Sequence, residues 1–179
     1  MIIRRTSVAG VVLASIAIAA VAGAATAPGS APERAAAAQR ITGEGVGQVK
    51  LGERHAVLRE QGLVGPLRAG CELGGPDTRS AKLRAPLRGL VTYTLTAPRK
   101  VTEITIRGGA KARGVGIGAT IAQIKAKFPK AKVSHATDDV FGLTLVRIPR
   151  DGGGKFQFGV SVDTGRTEVI GIPRIGFCE

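Results

Sequence analysis

Gly118-Ala119-Thr120-Ile121-Ala122-Gln123-Ile124-Lys125-Ala126-Lys127-Phe128-Pro129 (residues 118–129) is the stretch from which the rest of the chain can be read. Ile121, Ile124 and Phe128 recur at helical spacing and make one apolar stripe. Thr120 stands where an N-cap belongs, and Pro129 ends the helix because it lacks the amide that a further turn needs. Sixty-six residues earlier, Leu51-Gly52 opens a similar stretch, with Ala56, Val57 and Leu58 as its apolar part and Gly62 as its stop. At the same offset Leu58 matches Ile124, and the pair Ile104 and Ile106 matches Ile170 and Ile172. An internal repeat is therefore expected.

Strand signals follow each helix. In the first half, Leu90 to Leu95 and Val101 to Arg107 flank the turn Ala97-Pro98-Arg99-Lys100. In the second, Phe141 to Ile148 and Lys155 to Val162 flank Asp151-Gly152-Gly153-Gly154, and Asp163-Thr164-Gly165 turns the chain into Glu168 to Ile172. Phe156, Phe158, Val160 and Val162 alternate with smaller or polar residues, so one face of that strand should be buried. The expected fold is α+β: two helix-plus-antiparallel-meander repeats, about 41–109 and 110–179, sharing one sheet with the helices on one face. Residues 41–179 are enough for one core and too few for two ordinary domains.

The glycine-led helix, the meander after it and the tandem layout resemble the secreted β-lactamase-inhibitor-protein-like family, with its SmpA/OmlA-type relatives in outer-membrane assembly. Val46 to Gly52 and Gly108 to Gly116 are similar to segments of uncharacterised secreted bacterial proteins with this architecture. The resemblance spans Ile41 to Glu179 and implies the fold. It does not carry over enzyme inhibition. That family has a disulfide within each repeat, whereas here each half holds one cysteine. Its inhibitory surface is aromatic, whereas this chain has no Trp, one Tyr and five Phe.

Arg4 and Arg5 precede an uncharged apolar run from Val8 to Ala22, too short for a comfortable bilayer span, and Ala22-Gly23-Ala24 offers a small-x-small cleavage site. Residues 1–24 read as a signal peptide and 25–40 as an Ala- and Pro-rich spacer. An uncleaved anchor is the alternative, disfavoured by the weak hydrophobicity of Ala and Gly. The general secretory and twin-arginine routes both stay open. The expected location is extracytoplasmic, secreted or in the cell envelope, with no transmembrane segment in the mature chain. In that compartment Cys71 and Cys178 should form one disulfide.

Removing residues 1–24 leaves 24 basic and 13 acidic residues, a net charge of +11. Such a surface favours an anionic polymer, a lipid surface or an acidic protein as partner. Lys125, Lys127, Lys130 and Lys132 crowd the polar side and end of the second helix and form the candidate anion-binding patch. Two further groups are Arg99, Lys100, Arg107, Lys111 and Arg113, and Arg79, Lys82, Arg84 and Arg88. Without aromatics interleaved among the charges, specific nucleic-acid recognition is not expected.

Catalytic chemistry has little raw material. Gly114-Val115-Gly116-Ile117-Gly118-Ala119 fits the dinucleotide pattern, but no strand–helix–strand unit surrounds it and it reads as a turn. His55, expected on the exposed side of the first helix, and His135 lack partners at catalytic or ligand spacing. Asp138 and Asp139 read as a turn. The reading is a non-enzymatic, monomeric binding module without metal or cofactor. A secreted enzyme with an unrecognised site is the alternative.

Overall fold

The computed structural model describes residues 39–71, 75–149 and 155–177. The expected signal segment, the spacer up to residue 38, the glycine turn 151–154 and Cys178 lie outside the described residues. Antiparallel sheet dominates, with three short helices among the described residues.

In the first half, β1 (Ile41–Thr42), β2 (Gly45–Val46) and β3 (Val49–Lys50) form a small sheet ahead of helix α1 (His55–Glu60). Then come β4 (Arg68–Ala69), β5 (Arg79–Lys82), β6 (Arg88–Tyr93) and β7 (Val101–Gly108). In the second half, β8 (Lys111–Ala112) and β9 (Val115–Gly116) form a hairpin ahead of α2 (Ile121–Lys127). They are followed by β10 (Lys132–Ser134), α3 (Asp138–Phe141), β11 (Leu143–Ile148), β12 (Phe156–Ser161) and β13 (Thr167–Ile172). One eight-stranded antiparallel sheet runs β10-β11-β12-β13-β7-β6-β5-β4, so the last strand of each half pairs at its centre.

The central register is Ile170 with Ile106, Gly171 with Thr105 and Ile172 with Ile104, and all four isoleucines are fully buried. The loop ahead of each helix is tied to its half's last strand in the same manner. Gly52 N–H donates to Val101 O and Gly118 N–H to Thr167 O, both at 2.8 Å. In return Val101 N–H donates to Glu53 O at 2.8 Å, and Thr167 N–H to Ala119 O at 2.9 Å.

Leu58 of α1 and Ile124 of α2 are fully buried in one core with Val91, Val146 and Phe158 of the sheet. α2 starts on a capping box: Thr120 Oγ1 accepts from Gln123 N–H, and Gln123 Oε1 accepts from Thr120 N–H. Phe128 closes the helix and stays buried, as the stripe requires. Gly62 follows α1 at φ +70, a left-handed stop that costs a glycine little.

Other expectations shift. Asp138 and Asp139 open α3 instead of a plain turn, and Gly142, left-handed, delays β11 to Leu143. Val162 is half exposed: a bulge at Gly159/Val160 breaks the alternation, and β12 ends at Ser161. β4, β5 and β10 have no counterpart in the sequence reading because their short runs carry little alternation. No helix among the described residues is long and apolar enough to cross a membrane.

Candidate anion-binding surface

The four lysines singled out from sequence are all exposed, because Ile124 and Phe128 turn the opposite side of α2 into the core. Two of them border recesses, and different ones. Lys130 lines a cavity of about 400 Å³ together with Arg40 and Arg113. Lys127 lines a shallow cleft with Lys111 and Arg166. Lys125 and Lys132 line none of these recesses.

The strongest convergence lies around the β8–β9 hairpin. A parallel bridge pairs Arg40 with Lys111, and Lys111 N–H donates to Gln39 O at 3.2 Å, which sets two cationic residues side by side. Arg88, at the start of β6, comes from the neighbouring part of the main sheet. Arg40, Arg88, Lys111 and Arg113 together line a recess of about 870 Å³. Arg40 and Arg113 also line the smaller cavity, so the two recesses adjoin. No carboxylate is among the described lining residues of either. Arg113 holds its guanidinium 5.2 Å from the centroid of the Phe128 ring.

This arrangement regroups the sequence clusters. Lys111 and Arg113 from one cluster share the larger recess with Arg88 from another, and Arg113 also shares the smaller one with Lys130 from the third. Arg107 points to the opposite face of the sheet, where it borders a recess of about 730 Å³ with Arg147, Gln157 and Arg174. There Arg174 Nε lies 3.2 Å from Glu103 Oε2. Arg99 turns back on the backbone and donates to Thr94 O at 2.7 Å and to Leu95 O, while Arg79 donates to Pro76 O and Thr78 O at 2.8 Å. These two arginines act as turn clasps. Arg40 escaped the sequence reading because it sits at the end of the low-complexity spacer. Its one local signal is its place just before Ile41.

The structure also places the residues considered for chemistry. His55 is half-buried, not on the outer side of α1. Its ring meets Tyr93 edge-on at 5.2 Å and its Nε2 lies 3.1 Å from Gly65 O. Burial pushes the Tyr93 phenol up to about 12, and its hydroxyl has no hydrogen-bond partner. Asp138 is a hub: one carboxylate oxygen lies 2.7 Å from His135 Nδ1, and the other accepts from the Thr144 hydroxyl at 2.9 Å. The Thr144 hydroxyl therefore faces the carboxylate and not the imidazole. Asp139 is exposed. Among the described residues no group of three or more His, Cys, Asp or Glu could hold a metal. The glycines of Gly114 to Ala119 lie in an antiparallel hairpin and the loop after it, with Gly114 at φ +85 and Gly118 at φ +84. That is not the parallel strand-to-helix turn on which dinucleotide binding relies.

Comparison with protein-family models, curated proteins and solved structures gives no match.

Proposed function

We propose that this protein is a non-enzymatic, exported binding module for an anionic partner, and that the surface around Arg40, Arg88, Lys111 and Arg113 is where it binds. The observation that carries this reading is the convergence of four cationic residues from three separate stretches of the chain on one recess, which adjoins a second, with no carboxylate among the described lining of either. Placing like charges together costs energy unless a counter-charge completes them. A polyanion would displace counterions from this surface, so its binding should weaken steeply with salt.

Retention on an anionic matrix, followed against salt concentration, tests the reading. Changing Arg88, Lys111 and Arg113 to glutamine should reduce retention sharply. Changing Lys125 and Lys132, equally exposed but outside the recesses, should reduce it far less. Equal losses per charge removed would reduce the effect to diffuse net charge, and no retention at low salt would refute it.

The resemblance to the inhibitor-like family enters here for architecture alone. We infer that the two halves descend from one duplicated unit. The equivalent backbone bonds at Gly52 and Gly118 support this, as does the central register. Thr105 and Gly171, which are partners across that register, are also equivalents at the repeat offset, as a two-fold axis between them requires. Cys71 and Phe177 border the same recess, which supports a bridge from Cys71 to Cys178, the next residue.

A further inference from the structure

The smaller of the two adjoining recesses has an apolar floor as well as a cationic rim. Ile41, Phe128, Ile148 and Phe156 line it, and each is 4–7% exposed. Phe128 and Phe156 meet edge to face with centroids 5.6 Å apart. Arg40 and Arg113, both exposed, stand at the rim. A purely ionic ligand would leave the aromatic floor unmatched. An uncharged apolar ligand would shield the cations from water without offering a counter-charge. A single alkyl chain with one anionic head satisfies both.

Size and backbone conformation agree with this. At about 30 Å³ for each water-sized group, a volume of 400 Å³ takes about a dozen such groups, the scale of a medium-length chain and its head. Arg113 is the one non-glycine described residue with positive φ, at +48. Its equivalent in the first half is Gly47, at φ +54. The left-handed conformation is unfavourable for a residue with a side chain, and such positions cluster at ligand sites. What this position has in exchange is a guanidinium over the Phe128 ring, shared by both recesses.

We propose that this cavity binds a single-chain anionic amphiphile, its chain on Phe128, Phe156, Ile148 and Ile41 and its head between Arg40 and Arg113. The proposal rests on the anion-binding reading for its cations and adds an apolar half to the ligand.

Isothermal titration of the purified protein at constant ionic strength, below micelle-forming concentrations, tests it. The probes are decanoate, decyl phosphate, decanol and butyrate. At least one of the two charged decyl ligands should bind at least tenfold more tightly than decanol and butyrate, and the ratio between them tells a carboxylate head from a phosphate head. Arg113→Gln should weaken the anions three- to tenfold and leave decanol unchanged. Ala131→Leu, which fills the cavity from its wall, should weaken every decyl ligand, with circular dichroism checking the fold of each variant. Decanol as tight as the charged ligands, butyrate as tight as decanoate, or no binding of any decyl ligand would overturn the proposal. If matrix retention persists while decyl ligands fail, this inference alone falls. If decyl anions bind while polyanion retention is absent, the broader reading falls instead.

Discussion

Ile124→Ala should unfold the first half of the molecule as readily as the second. Ile124 is fully buried in a core that also holds Val91, Tyr93 and Ile104 from the first half. The substitution removes three carbons, worth about 0.8 kcal/mol each on transfer, or about 2.4 kcal/mol. The unrelaxed cavity adds on the order of 1 kcal/mol, for a total of about 3.4 kcal/mol. With a urea slope of about 1.5 kcal/mol/M, the midpoint should fall by about 2 M. The chain has one Tyr and no Trp, so Tyr93 fluorescence reports the first half without interference. The Tyr93 transition should move down together with the circular-dichroism transition, and Leu58→Ala should produce a comparable shift. A biphasic dichroism curve with Tyr93 unmoved would refute the shared core as a cooperative unit.

Two further predictions concern the core and its covalent support. Burial holds the Tyr93 phenol neutral up to about 12 against 10.0 in the unfolded chain, so the unfolded state releases the proton first and stability, unaffected by this group below pH 10, falls as pH rises from 10 towards 12. Alkaline unfolding should therefore show a loss on the order of 2–3 kcal/mol over that interval, absent in Tyr93→Phe, and that variant should be equally or more stable at neutral pH because it removes an unbonded buried hydroxyl. Non-reducing peptide mapping should recover Cys71 and Cys178 in one linked pair, and reduction should lower stability by on the order of 4–5 kcal/mol on the chain-entropy account; two free thiols in oxidised protein would remove the bridge from the fold.

Several features were legible along the chain because their causes are local. Thr120 and Gln123 close a capping box over three residues, Pro129 stops a helix by its own covalent structure, and Gly62 adopts a backbone conformation that other residues resist. Leu58 and Ile124 were legible as core positions because a fully buried place on a helix must be filled by a large apolar side chain. Strand order, the central pairing and the regrouping of charge were not legible in this way. They depend on which strand edge meets which, and on a bridge between Arg40 and Lys111 that no local pattern announces. The sequence showed a basic chain with three clusters. Tertiary structure spent Arg79 and Arg99 on turns, sent Arg107 to the far face and brought Arg40, Arg88, Lys111 and Arg113 together. Helix signals act over a few residues, whereas a surface is assembled by long-range pairing, so the charge was written in the sequence and its placement was decided by the sheet.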